Sequence, residues 1–172
     1  CGLFASILAL YVRTLAPGLL FGDGGELQTL TYTLGLTHPT GYPVYLVLSR
    51  LFAFLPVGDL AYRVNLFSAL MSAAAAMLIY LSARQITQRA LPALVGALAF
   101  AVAPVVWWHA VMSEVYTPAA AFLAAILLLT WRWRTRNHPR LLFAAGIVGG
   151  LSVGVHGMVG VADQYIGLRT VG

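Results

Sequence analysis

The stretch "VNLFSALMSAAAAMLIYLSA", Val64 to Ala83, decides the fold class. It is an unbroken apolar run without a charge, and about 20 such residues are what a helix needs to cross the hydrocarbon core of a bilayer. It lacks the alternation of a β-strand, so the helical reading holds. Its small residues, from Ser68 to Met77, predict close helix contacts through small faces.

The rest of the chain agrees. Hydrophobic residues make up 60% of it and charged residues 9%, and the mean hydropathy is +0.86, outside the soluble globular range. Four further apolar runs of spanning length are expected at Gly2 to Leu20, Leu91 to Val111, Val115 to Trp131 and Leu141 to Val161. The expectation is an all-α, polytopic transmembrane bundle of about five spans over residues 1–162. A tail, 163–172, reads as truncated, and the non-Met start reads as a cut. A lipoprotein cysteine at Cys1 is an alternative, although "GLFASILALYV" directly after it looks like membrane span.

Net charge is +5, with ten arginines against five acids. The arginines do not gather into a nucleic-acid patch; Arg84, Arg89, Arg132, Arg134, Arg136 and Arg140 flank two short connections, which the positive-inside rule places in the cytoplasm. The loop 21–63, the "WWHAVMSEVY" turn and the far end of the fifth span then lie outside. Asp23, Glu26, Asp59 and Glu114 share that face. Within the loop, "VYLVLSRLFAFL" is too short to span and reads as an interfacial helix, bracketed by Gly41, Pro43 and Pro56.

The polar residues leave several readings open. Asp23 and Glu26 are three apart, so a helix puts them on one face, either as an ionised catalytic pair beside the helix N-terminus or as an N-cap with its capping-box partner. "HPTGYPVY", His38 to Tyr45, has two X-Pro steps and a glycine, giving either a plain turn with interfacial tyrosines or a rigid loop in which His38 donates to a phosphate or sugar oxygen and Tyr42 and Tyr45 stack on a sugar or lipid face. Arg63 and Asn65 open the second span, where arginine either snorkels to headgroups or clamps a phosphate. Arg13 lies inside an expected span, where a charge needs a polar partner. Glu114, Tyr116 and His156 all project to the outer face. No phosphate-binding glycine loop, paired-cysteine metal site, H-E-x-x-H or G-x-S-x-G is present.

The ordered set G-D-x-G-E (Gly22 to Glu26), H-P-x-G-Y-P (His38 to Pro43), Y-R-V-N (Tyr62 to Asn65) and E-V-Y (Glu114 to Tyr116) resembles the N-terminal membrane region of the DUF2723 family. That family includes protein O-mannosyltransferases of the transmembrane protein 260 type, within the GT-C glycosyltransferase superfamily. The resemblance covers about Tyr11 to Met158. It implies a membrane enzyme of the bacterial inner membrane, acting on the extracytoplasmic side. Such an enzyme moves a sugar from a polyprenyl phosphate to a hydroxyl of an acceptor protein or glycan, with inversion. By resemblance Asp23 is the general base and Glu26 the acid beside it. Arg13, Arg63 and His38 would hold the phosphate, and Tyr42, Asn65, Glu114, Tyr116 and His156 would line the pocket. No cofactor or metal ligand set is implied, and metal dependence stays open. The competing reading is a transporter or channel module using Arg13 and the outer acids as a substrate or proton path.

Overall fold

The computed structural model describes residues 2–37 and 41–157, and these form helices without strands. The helices are α1 (Gly2–Arg13), α2 (Asp23–Thr33), α3 (Pro43–Ala53), α4 (Leu60–Thr87), α5 (Ala90–Val102), α6 (Pro104–Ala110), α7 (Tyr116–Arg136) and α8 (Pro139–Val153).

The run that opened the sequence analysis becomes the centre of the molecule. Helices α1, α2, α3, α5, α6 and α7 all pack on α4, and α8 packs on α7. Small side chains explain how one helix serves so many neighbours: Ala69, Ala73, Ala75 and Ala76 are fully buried, as is Ser68, and short side chains let backbones approach closely. One core cluster joins Ile7, Tyr11 and Leu15 to Ala69, Ala73 and Ala101. A second joins Leu27, Tyr45 and Leu46 to Phe67 and Val115, which seats α2 and α3 on α4.

Only Leu60–Thr87 among the described residues is a single helix long and apolar enough to cross a membrane; α5 with α6 would be a second if counted as one span. Three expected spans are corrected in their extent. The first stops at Arg13 instead of Leu20, so Arg13 sits exposed at a helix end and not within a span. Beyond it, Thr14 to Gly22 runs as irregular backbone, with Pro17 four residues downstream unable to continue a helix. The third is broken between Val102 and Pro104 by a bend of 64°. Pro104 has no N–H to donate and disfavours a helical Ala103, which adopts φ −59°, ψ 130°. In the fifth expected span α8 ends at Val153, and the expected end at Val161 lies outside the described residues.

The loop between the first two expected spans folds as two helices, α2 and α3. The capping expectation is also corrected. Gly22, at φ 66°, is the N-cap of α2 and no side chain caps it; Asp23 is the first helical residue.

The charges separate along the bundle. With its amide turned to satisfy both groups, Gln85 accepts from Arg132 Nε at 2.9 Å, so the C-terminal ends of α4 and α7, which carry the arginines of both connections, lie together. The described acids lie at the opposite end, with Asp59 as the N-cap of α4, accepting from Tyr62 N at 2.7 Å.

Candidate functional site

At the acidic end, one buried amide organises four segments. Asn65 is completely buried. Its Oδ1 accepts from Gln28 Nε2 at 2.8 Å and from Ser113 Oγ at 2.6 Å, while its Nδ2 donates to the Ala16 carbonyl at 2.9 Å. Gln28 in turn accepts from Leu20 N at 2.9 Å, and Ala16 N donates to the Val111 carbonyl at 2.9 Å. These bonds pin the irregular segment after α1, whose backbone groups at Ala16 and Leu20 find partners in place of a helix. Asn65 thus holds α2 against the α6–α7 turn through its own amide.

The glycines of "GDGGE" serve the same approach. A Cβ on Gly25 would collide with the Leu20 carbonyl oxygen, and one on Gly24 would meet the Ser113 carbonyl at 3.4 Å. The first turn of α2 thus lies directly against Ser113, and Glu114 follows. Glu114 is fixed from its backbone, where its N–H donates to Ser68 Oγ at 3.2 Å.

The result is a pair of carboxylates from separate elements. Asp23 is exposed and Glu114 part-buried. Burial raises the Glu114 pKa above its ordinary value, the Asp23 carboxylate raises it further, and a hydrogen bond from the Val115 backbone opposes both. Below Glu114 is Tyr45, wholly buried. Its hydroxyl lies close to Ser68, Ser113 and the Glu114 carboxyl without a well-formed hydrogen bond. Burial first, and Glu114 second, push its pKa up.

Beside the carboxylates runs a series of rings. His109 and Tyr116 have centroids 4.9 Å apart, Tyr116 and His156 5.5 Å, and His156 and Tyr42 6.2 Å with near-parallel planes. They come from four elements, and Val44 N donating to the Gly154 carbonyl at 3.0 Å ties the start of α3 to the end of α8.

Of the residues nominated from sequence, Asp23 and Glu114 lie on neighbouring segments, close enough for the Asp23 charge to act on Glu114, and Tyr42, Tyr116 and His156 meet beside them. Glu26 is placed differently, lining a groove with Leu19, Phe21, Thr29 and Leu36. Arg63 is occupied: Nε donates to Val57 O at 2.8 Å, Nη1 to Ala53 O at 2.8 Å and Nη2 to Gly58 O at 2.9 Å. It fastens the α3–α4 connection. His38 lies outside the described residues. Tyr45, expected with Tyr42 to stack on a sugar or lipid face, is wholly buried. Sequence reasoning missed His109, Gln28, Ser68 and Ser113. Only His109 carried a signal, as a histidine five residues before Glu114. No group of three or more potential metal ligands occurs among the described residues.

An apolar helical bundle with carboxylates, histidines and tyrosines gathered at one end defines a membrane-type helical domain with a polar site at one end. Residues 23–166 match the family described as Protein O-mannosyl-transferase TMEM260 N-terminal domain, and the chain belongs to that family. It is similar to Protein O-mannosyl-transferase TMEM260 of Mus musculus, 31% identical over 153 residues, covering 88% of this chain and 22% of that protein. It is also similar to Protein O-mannosyl-transferase tmem260 of Dictyostelium discoideum, 29% identical over 138 residues, covering 78% of this chain and 17% of that protein. The chain thus spans about a fifth of the length of the curated relatives it matches. No solved structure matches it.

Proposed function

We propose that the chain is the N-terminal part of a polytopic membrane glycosyltransferase of the GT-C type. It transfers a sugar from a polyprenyl phosphate to an acceptor hydroxyl on the extracytoplasmic side. The family membership supports glycosyl transfer, and the mouse and Dictyostelium relatives are named protein O-mannosyltransferases. The observation that carries the reading is the close packing of the first turn of α2, which begins with Asp23, against Ser113 beside Glu114, at a helix N-terminus whose dipole favours an anion.

In this reading Asp23 is the base. It takes the proton of the acceptor hydroxyl as that oxygen attacks the anomeric carbon; the bond from that carbon to the phosphate oxygen breaks, and the configuration inverts. Glu114, protonated more readily than an ordinary glutamate, adds less negative charge near a departing phosphate. The ring series offers faces for a sugar and imidazole donors for its phosphate. Arg13 joins the proposed phosphate contacts from the exposed end of α1. Glu26 is a less direct participant, since it lines the neighbouring groove.

The transporter alternative would draw on Arg13, which stands at the exposed C-terminal end of α1. The deciding experiment measures sugar transfer from polyprenyl-phosphate donors by the full-length protein and its Asp23→Asn variant. A fall of about 10²- to 10⁴-fold is expected for a lost general base; wild-type transfer by the variant overturns the assignment.

A further inference from the structure

Helix α3 turns one face inward, carrying Tyr45, Leu46, Ser49 and Ala53. Ser49 is satisfied there, since its hydroxyl shares a hydrogen bond with Thr31 Oγ1 at 2.8 Å. Tyr45 differs. Its side chain is wholly buried, its ring stands edge-on to Phe67 with centroids 5.4 Å apart, and its hydroxyl has no partner of good geometry. A buried donor in that state is rare in a folded chain. If it never found an acceptor, phenylalanine would serve as well or better at this position.

The surroundings single out one acceptor. Ser113 Oγ gives its proton to Asn65 Oδ1, and Ser68 Oγ already accepts from the Glu114 N–H. The remaining neighbour of the phenol is the Glu114 carboxyl, on the turn whose next residue, Val115, packs in the same cluster as Tyr45. A carboxylate is the strongest acceptor of the three, and a bond to it is about twice as strong as one between neutral groups. Burial keeps the phenol protonated and able to donate. Such bonds are often long in an unliganded site and tighten when charge is present.

We propose that Tyr45 is a positioning residue of the carboxylate site: its hydroxyl donates to Glu114 when that carboxyl ionises and fixes the orientation of the charged side chain. The proposal rests on the glycosyltransferase reading for what the site does, and adds the group that governs its second carboxylate. Asp23 at the start of α2 also acts on Glu114, and Tyr116, two residues along, meets His109 of α6 and His156. A change of pH therefore moves several charges, and only a variant lacking the Glu114 carboxyl isolates the one concerned.

The test is thermal unfolding of the full-length, detergent-solubilised protein at pH 4 and pH 8, with Tyr45→Phe made in wild type and in Glu114→Gln. The ring and its contact with Phe67 are kept, so the variant loses only the hydroxyl. The bond to a charged acceptor exists only where Glu114 is ionised, so the fall in Tm on Tyr45→Phe should be about 2–4 °C larger at pH 8 than at pH 4. In the Glu114→Gln background, which keeps Asp23 and the histidines, the fall should be the same at both pH values. Tyr45→3-fluorotyrosine, which retains the donor, should behave as wild type. A Tyr45→Phe protein as stable as wild type, a loss independent of pH, or the same pH dependence without the Glu114 carboxyl overturns the proposal. Unfolding needs no sugar transfer, so the two readings fail separately. Glu114-dependent coupling with Asp23-independent transfer sinks the catalytic assignment alone, whereas Asp23-dependent transfer with a pH-independent loss sinks the role of Tyr45.

Discussion

Ser113 Oγ donates to Asn65 Oδ1 at 2.6 Å, and both residues are completely buried. That bond joins the middle of the sequence to the turn carrying Glu114, and the same oxygen also holds Gln28. The candidate site therefore depends on one buried amide whose three hydrogen bonds are all internal.

Asn65→Ala would leave Gln28 Nε2, Ser113 Oγ and the Ala16 carbonyl short of a partner. Each orphaned buried group costs about 1–3 kcal/mol, partly recovered by relaxation and water. We expect a loss of roughly 3 kcal/mol in thermal or denaturant unfolding of the detergent-solubilised protein, and sugar transfer reduced beyond what stability explains.

Gly25→Ala places a methyl group against the Leu20 carbonyl oxygen. Backbone cannot swing aside as a side chain can, so overpacking here is expected to cost about 1–3 kcal/mol. Gly96→Ala, with nothing within 4 Å of the added Cβ, should be neutral or slightly stabilising in the same unfolding assay, since Ala is the better helix former.

Glu114→Gln tests the carboxylate pair through pH. The Glu114 pKa is raised above its ordinary 4.5 in the folded chain, so the folded state favours the protonated form. Its stabilising contribution is fully present below that ordinary value and is lost as pH rises through the higher folded value. The glutamine variant should therefore melt at a higher temperature relative to wild type at pH 8 than at pH 4. An unchanged difference across that range would refute the raised pKa.

Arg63→Met removes three donors from the carbonyls of Ala53, Val57 and Gly58. Because the guanidinium is partly exposed, water replaces some of the loss, and a cost of about 1–2 kcal/mol is expected. The change should appear as faster hydrogen exchange at residues 54–59, with the KM for donor little altered; a large KM rise without faster exchange would restore a phosphate-binding role.

Much of this architecture was legible because it is written in local pattern. The charge-free run at Val64 to Ala83 had to be buried helix, and its alanines and serines had to be contact faces. Proline and glycine around "VYLVLSRLFAFL" marked a separate short helix, found as α3. The site was legible only as a collection of residue types on one face. Asn65 looked like a ligand contact because a polar residue at a span entrance has two uses, and only a partner 48 positions away decides between them. Arg13 was misplaced for a related reason: apolarity continues to Leu20, but bonds from Ala16 to Val111 and Asn65 replace helical ones after Arg13. Pro104 was visible in the sequence, yet its bend depends on a neighbouring helix surface that leaves room for it.

The central position of α4 bears on how the chain is made. Helices α1, α2 and α3 are synthesised before the helix they dock on, so the earlier segments must wait for residues 60–87 to leave the ribosome. The Asn65 amide waits longer still, until Ser113 follows. A mutation that slows the folding of α4 should therefore leave α1, α2 and α3 open to quality-control proteases during synthesis, even when the finished protein is stable.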